Sequence, residues 1–299
     1  MGFEKLPDWA TKFNFTRHSP SAVNRPDDIE IFDRVIARPA GMFAPPNCNM
    51  SAGTAVEDYV NMVLVDALPP GEAFRHALAK LDEHQHPEHL PDDKDRMDLF
   101  RNGVVMDKDT ALGTHFELVC KHALEGVADA TKGGNWLNDG PRISTTLDGV
   151  KLPIVGEIDF VGPTFIELKT QWPYLHPESK QGWRMNSLPA RPKKEHVRQW
   201  AIYWKWLREQ RDNVPGAIVY ANTKGYRIFT NENCEEMSES AIRDSLDDFR
   251  RIAQAREYKL EKSENVEELL QLIAPDFSFY QWRDKPPAYI SKAKQVWGF

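Results

Sequence analysis

Two carboxylates and a lysine stand close together in residues 154–170, IVGEIDFVGPTFIELKT. Asp159 lies near the end of one run rich in β-branched and aromatic residues, and Glu167 and Lys169 lie in the next run. Two carboxylates can chelate a hard divalent cation, and the backbone carbonyl of Leu168 can add a third oxygen ligand. A cation held there lowers the pKa of its water and offsets charge on a phosphorane-like transition state, while Lys169 helps to polarise the water. This set of residues is suited to phosphodiester hydrolysis.

A β-hairpin would position these side chains. The two apolar runs are separated by the tetrapeptide VGPT, which predicts a tight turn between two strands. Alternate residues of a strand share a face, so Glu167 and Lys169 point to one side. With the turn centred on the Gly-Pro pair, Asp159 lies roughly opposite Ile166 or Glu167, within reach of the second carboxylate. A solvent-facing strand with an ordinary Glu–Lys pair is the alternative.

Further motifs accompany the hairpin in a fixed order. The segment GTAVE lies in a predicted helix upstream, and HVRQWAIYWKWL downstream predicts a helix with Gln199 and Tyr203 on one face at i, i+4. Over about residues 50–230, this order resembles the RecB-like branch of the PD-(D/E)XK nuclease superfamily, whose pattern is G-T-x-x-(H/E), G-x-x-D, (D/E)-x-K and Q-x-x-x-Y. The matching residues are Gly53, Thr54, Glu57, Gly156, Asp159, Glu167, Lys169, Gln199 and Tyr203. More loosely, RHSPSAVNRP and IAPDFSFYQWRD resemble exonucleases of T7-like marine bacteriophages.

The resemblance implies a fold and an activity. The fold is α/β, with a PD-(D/E)XK (restriction-endonuclease-like) core of order αβββαβ, a mixed sheet flanked by helices, and extra N- and C-terminal helical segments. The activity is that of a Mg²⁺- or Mn²⁺-dependent deoxyribonuclease, expected to be a phage exonuclease that acts on DNA in host-DNA degradation or recombination. The alternatives are an endonuclease of the same fold, such as a junction resolvase, and an inactive nucleic-acid-binding relative.

The resemblance also implies a role for each site residue. Asp159, Glu167 and the Leu168 carbonyl would hold the metal, and Lys169 would orient and activate the attacking water. Gln199 and Tyr203 would position the scissile strand or the lysine, and a helical acid would complete the metal site. The remaining candidates for that acid or histidine are Glu57, His115 and Glu117. The match to GTAVE favours Glu57, whereas a position in the helix just before the sheet favours His115 or Glu117.

Composition bounds the other possibilities. The chain has 299 residues, of which 41% are hydrophobic, enough for one large domain. The expected division is an irregular lead-in over 1–50, a helical part over 51–130, the catalytic sheet and helix over 141–230, and C-terminal helices with an aromatic tail over 235–299. A short helix is expected within the lead-in near residues 27–35.

Cysteine count, charge and hydropathy bear on partners and location. Three cysteines, Cys48, Cys120 and Cys234, are too few for the iron–sulfur cluster of some relatives, so no cluster is expected. No apolar run reaches the length of a membrane span, and the N-terminus lacks a signal-peptide core, so we expect a cytoplasmic protein, in the host cytoplasm if phage-encoded. A net charge of −7 argues mildly against a broad nucleic-acid surface, and the oligomeric state stays open, including a homo-oligomer.

Three features have two interpretations each. The basic loop over 184–198 is either a DNA-binding groove or a solvated loop; its cations are Arg184, Arg191, Lys193, Lys194 and Arg198. The aromatic tail over 275–299 either packs on the core or stacks on bases, with packing favoured. His84, His86 and His89 form a cluster, but the Pro-broken loop around them disfavours a metal site.

Overall fold

The computed structural model describes residues 5–44, 48–83, 111–131, 138–175, 183–211, 215–283 and 285–299. In chain order the strands of these ranges are β1 (Asn138–Asp139), β2 (Arg142–Thr145), β3 (Ile154–Glu157), β4 (Phe160–Val161), β5 (Phe165–Thr170), β6 (Pro173–Leu175), β7 (Trp183–Met185), β8 (Gly216–Asn222) and β9 (Gly225–Thr230). The helices are α1 (Asp8–Lys12), α2 (Asp27–Ile31), α3 (Cys48–Leu64), α4 (Pro70–Glu83), α5 (Ala111–Ala130), α6 (Lys194–Gln210), α7 (Glu239–Lys262), α8 (Val266–Gln271), α9 (Tyr280–Arg283) and α10 (Pro287–Trp297). A π-helical turn, Phe32–Ala37, continues α2, and short 3₁₀ turns lie at Ala22–Asn24 and Glu235–Met237.

The central sheet is mixed and has the strand order β1-β4-β5-β8-β9. β5 and β8 are parallel neighbours, and the other pairs are antiparallel. Every residue of β8 is buried, which is why the apolar run GAIVYAN forms a central strand. Parallel strands need a crossover connection, and α6 supplies it between β5 and β8.

Helices cover both faces of this sheet. On one face α3, α4 and α5 bury Val56 and Phe116 against Ile166 and Val219. On the other face α6 packs on the sheet and α7 packs on α6, and Trp200 stacks on Phe165 with ring centroids 4.9 Å apart. The predicted mixed sheet flanked by helices is confirmed. None of the described helices is long and apolar enough to cross a membrane.

The prediction of three consecutive strands in one sheet is wrong. β2 and β3 pair with each other, but they form a separate two-stranded sheet. The far edge of β3 is occupied by His18 of the lead-in, whose backbone N–H donates to Pro153 O at 2.9 Å and whose carbonyl accepts from Val155 N–H at 3.0 Å. The first strand of the predicted hairpin, residues 154–160, is divided where the chain bends at residues 158–159. Its first part, β3, pairs with β2 and His18, and only its second part, β4, pairs with β5.

The described part of the lead-in, residues 5–44 and 48–50, is more regular than predicted. The helix expected near residues 27–35 is present as α2 and its π-helical extension. The segment also buries Phe15 and Phe32, and Asp27 accepts a hydrogen bond from the nearly inaccessible Arg256 of α7 at 2.8 Å. Long-range packing therefore makes most of the described lead-in part of the core.

The aromatic tail packs on this lead-in, which confirms the favoured interpretation. Trp282 and Tyr289 lie in one buried cluster with Phe32. The Trp282 indole N–H donates to Asp28 Oδ2 at 2.8 Å, and the Tyr289 hydroxyl bonds Asp33 Oδ1 at 3.0 Å. Each buried polar tip therefore has a partner, as burial of a Trp or Tyr requires.

Trp282→Ala is expected to lower the free energy of unfolding by about 3–5 kcal/mol, because it empties a fully packed aromatic site. Tyr280→Ala is the matched control: this neighbouring ring is 53% exposed, so its loss should cost roughly 0.5 kcal/mol or less. Urea unfolding of both variants measures the difference. Equal, small losses would show that the tail contributes little to the core.

Candidate functional site

The hairpin brings Asp159 and Glu167 together. Phe160 pairs with Ile166 in the antiparallel hairpin. Asp159 precedes Phe160 and Glu167 follows Ile166, so these two residues lie opposite each other just before β4, as the sequence predicts. Asp159 Oδ2 accepts a hydrogen bond from the backbone N–H of Leu168 at 2.7 Å. This hydrogen bond orients the Asp159 carboxylate beside the backbone of β5, the strand that bears Glu167.

Glu167 is held by two further partners. The Lys169 ammonium forms an ion pair with Glu167 Oε1, and the Gln199 amide donates to the same oxygen. Gln199 Nε2 also lies 3.2 Å from the Tyr203 hydroxyl, so the predicted i, i+4 pair does share one face of α6. The structure places the Gln199 amide on the Glu167 carboxylate, the oxygen of which also pairs with Lys169. A role of Gln199 and Tyr203 in positioning the scissile strand or the lysine stays a prediction.

Burial makes this group of charges unusual. Glu167 is fully buried, and burial followed by the nearby Asp159 raises its pKa to about 8, against the opposing effect of Lys169. Burial also raises the pKa of Asp159. Burial alone would lower the pKa of Lys169, but Glu167 and Asp159 together hold it above its ordinary value. The second oxygen of Glu167, Oε2, is buried and has no hydrogen-bond partner among the described residues.

Glu57 belongs to the same electrostatic group. Burial first, then Asp159 and Glu167, raise its pKa to about 9. One turn earlier in α3, a Cβ on Gly53 would lie 3.2 Å from Thr170 Oγ1, so the glycine of GTAVE permits close approach of α3 to the end of β5. The close helix approach places Glu57 within the field of the two strand carboxylates.

The rival helical candidates lie in a different environment. Burial lowers the pKa of His115. Glu117 is exposed, and its charge raises the pKa of Cys120 and Tyr59, after the larger effect of burial on each. The structure places Glu57 in the field of the hairpin carboxylates, and the choice of the helical acid among Glu57, His115 and Glu117 stays a prediction.

The glycine of the G-x-x-D motif has a packing reason. A Cβ on Gly156 would lie 2.9 Å from Pro20 Cδ and 3.1 Å from Tyr203 Cε1. These distances are too short for a side chain, so the glycine lets the Tyr203 ring and the lead-in close on β3. The motif glycine thereby helps to place Tyr203 beside Gln199.

Two residues of the site were missed by sequence reasoning. Tyr220 is the register partner of Lys169 on β8, and its hydroxyl lies 2.7 Å from His196 Nδ1. The Lys193 backbone N–H donates to the same hydroxyl at 3.1 Å. The available signal was a single hydroxyl in the otherwise apolar run GAIVYAN, since a buried tyrosine oxygen needs a partner.

The basic loop is divided by its contacts. Arg191 pairs with Glu236 at 3.0 Å, and Arg198 pairs with Asp248 at 3.4 Å and contacts Asn24. Lys193 and Lys194 are exposed and have no ion-pair partner among the described residues. The Arg184 side chain lies outside the described part of the chain. Of the cations whose side chains the structure describes, only Lys193 and Lys194, at the start of α6, stay available for the predicted groove.

Metal ligands are not prearranged as a cluster. Within the described ranges, no group of three or more His, Cys, Asp or Glu side chains is arranged to hold a metal ion. His84, His86 and His89 lie outside those ranges. Cys120 and Cys234 are buried free thiols.

The chain matches no protein-family profile and no curated protein. Its fold is similar to the crystal structure named "Putative exonuclease" from Eubacterium rectale, with 12% sequence identity and a TM-score of 0.47, over 91% of this chain and 90% of that one. It is also similar to the crystal structure of SSO0001, with 14% identity and a TM-score of 0.26, over 80% of this chain and 91% of that one. Similarity at these scores carries no argument about activity.

Proposed function

We propose that this protein is a divalent-metal-dependent deoxyribonuclease with a PD-(D/E)XK site of the RecB-like type. The observation that carries the proposal is the juxtaposition of Asp159, Glu167 and Lys169 on one hairpin, with Glu57 in the same electrostatic group. Burying several carboxylates beside one ammonium costs desolvation free energy, because one positive charge cannot balance them all. An ion pair of one carboxylate and one ammonium with a purely structural role avoids that extra cost. Strongly perturbed carboxylates of this kind are typical of functional sites.

The chemistry of these residues suits a divalent cation, although no three carboxylates are arranged as a metal cluster among the described residues. The pKa values of Glu57, Asp159 and Glu167 are all raised and a single lysine opposes that rise, so the group gains from added positive charge. Glu167 Oε2 has no hydrogen-bond partner among the described residues, so this oxygen is available as a metal ligand. Asp159, Glu167 and the Leu168 carbonyl would hold Mg²⁺ or Mn²⁺, and Glu57 would complete the site. Such an ion supplies Lewis acidity, which offsets negative charge as the phosphodiester reacts and lowers the pKa of water.

The protein's own groups divide the remaining work. Lys169, held by Glu167, presents an ammonium that orients the attacking water and balances charge on the phosphate oxygens. Gln199 fixes the Glu167 carboxylate, and Tyr203 fixes the Gln199 amide. Gln199 and Tyr203 are therefore positioning residues in this proposal, since each acts through another side chain.

The experiment that tests the function is digestion of end-labelled linear duplex with and without Mg²⁺. We expect cleavage with Mg²⁺ and none in excess chelator. Cleavage of RNA alone, or of neither nucleic acid under any divalent cation, would contradict the proposal.

We further propose that cleavage starts from a DNA end. The support is the resemblance of the motif order and of the chain ends to phage exonucleases. Linear duplex should be degraded progressively to small products, while a covalently closed circle of the same sequence should persist until it is nicked or cut. Rapid linearisation of the closed circle at the same enzyme concentration would contradict this and favour an endonuclease such as a junction resolvase.

A further inference from the structure

The pair formed by His196 and Tyr220 has no role in the chemistry described above, although it adjoins Lys169. Tyr220 is fully buried and lies beside Lys169 in the parallel register of β5 and β8. His196 lies in the first turn of α6 and is partly exposed. The His196 ring is 2.7 Å from the hydroxyl of Tyr220, the register neighbour of Lys169, so the imidazole lies on the side of the lysine proposed to act on the water.

The hydrogen bonds determine where the imidazole proton resides. The Lys193 backbone N–H can only donate, so the Tyr220 oxygen accepts it. The buried hydroxyl proton then needs its own acceptor, and His196 Nδ1 lies at 2.7 Å. Nδ1 therefore accepts from the tyrosine, and the ring of a neutral His196 carries its proton on Nε2.

The Nε2–H group is an uncommitted donor. It has no hydrogen-bond partner among the described residues, and it is not an enclosed atom. Burial, Lys169 and Lys193 lower the pKa of His196 to about 3, so the imidazole is neutral at physiological pH. Exposed ammonium groups of Lys193 and Lys194 lie in the same helical turn. His196 thus presents a neutral N–H donor of fixed direction beside the positive charges of two lysines. Such an arrangement suits a negatively charged phosphodiester oxygen.

We infer that His196 contacts the substrate, with Nε2–H donating a hydrogen bond to a nonbridging oxygen of a backbone phosphate of the bound DNA strand. The inference rests on the proposed nuclease function, because the donor adjoins the lysine of that site. Tyr220 is the positioning residue that holds the tautomer. The contact contributes to binding and alignment of the strand, and no proton leaves His196 during cleavage.

Two substitutions separate the contact from a structural role. His196→Asn places an amide near the former Nδ1, which retains a partner for Tyr220 and removes the outward donor. His196→Gln places an amide near the former Nε2, which retains an outward N–H. With a short duplex and the Glu167→Gln background to prevent cleavage, His196→Asn should weaken DNA affinity roughly 10- to 100-fold, the scale of a hydrogen bond to a charged group. His196→Gln should recover most of that loss. Thermal unfolding of each variant identifies any loss of fold.

A substrate change identifies the phosphate itself. Replacing single phosphates of the duplex by neutral methylphosphonates should weaken binding at several positions. At one position the loss should be large for the His196-containing protein and absent for His196→Asn, because the contact has already been removed. Additive losses at every position would overturn the inference, as would equal affinities of the two proteins.

The pH dependence and the parent activity complete the test. Because the donor is neutral, the affinity ratio of the two proteins should be constant from about pH 6 to pH 9; a ratio that falls steeply near pH 6.5, the ordinary pKa of histidine, would overturn the neutral-donor assignment. If the protein with His196 intact binds and cuts DNA while His196→Asn matches it, only this inference fails. If the intact protein neither binds nor cuts DNA, the proposed function is wrong, and so is this inference, which depends on it.

Discussion

Asp159→Asn and Glu167→Gln are each expected to reduce DNA cleavage by at least on the order of 10³-fold, while the protein stays folded. Each substitution removes a charged ligand of the proposed metal and preserves the shape of the side chain. Because the metal would no longer assist the reaction, we expect the transition state to lose several kcal/mol of stabilisation. The measurement is the cleavage rate of linear duplex at saturating Mg²⁺.

The structure supplies a reason why these variants should fold. Burial raises the pKa of both carboxyls, which means that the buried site favours their neutral forms. Asp159→Asn should therefore change the free energy of unfolding little. Glu167→Gln also removes the ion-pair partner of the largely buried Lys169, so it should lower the free energy of unfolding, by about 3 kcal/mol or less. Urea unfolding without metal is the control. Full activity of either variant, or full activity of the unmodified protein in excess chelator, would contradict the assignment of the metal site.

Glu57→Ala is expected to lower the cleavage rate on the order of 10²-fold or more, the scale seen when a preorganised electrostatic group is removed. The reason is its position: the charges of Asp159 and Glu167 act directly on this carboxyl. Rates should be compared at saturating DNA, with Glu57→Gln as the isosteric counterpart, to separate loss of charge from loss of packing.

Glu117→Ala is the matched control for that measurement, since Glu117 is an exposed acid on a helix of the same layer and acts on Tyr59 and Cys120. It should cleave DNA at nearly the unmodified rate. A silent Glu57→Ala together with a damaging change at His115 or Glu117 would show that the G-T-x-x-E motif had been matched one helix too early.

Secondary structure was most predictable where local signals were strong. The apolar run of β8, the helical periodicity of α6 and the order of β5, α6, β8 and β9 all follow from residue patterns of fewer than about twenty residues. The strand pair β2–β3 flanks Asp148-Gly149, a dipeptide typical of hairpin turns. The separation of that pair from the central sheet did not follow, because the other edge of β3 pairs with His18, far away along the chain.

Burial of the chain ends was equally hard to predict. Residues 1–50 contain few periodic apolar runs, yet Phe15 and Phe32 are fully buried. Their partners are the aromatic tail and the C-terminal helices, more than two hundred residues away. Such contacts depend on tertiary packing that leaves no local pattern, whereas the tail itself signalled packing by its density of large aromatic side chains.

The sequence by itself placed Asp159 within reach of Glu167, since a short turn limits the register of the two strands that it joins; the structure fixed the register. It also determined that Gln199 and Tyr203 share one face, because four residues complete about one helical turn. Only the tertiary structure showed that Glu57 lies in the field of Asp159 and Glu167, that Gln199 contacts Glu167, and that His196 meets Tyr220. The physical reason is reach: covalent geometry relates residues close in sequence, but the desolvation and hydrogen bonding of a site depend on how distant elements pack around it.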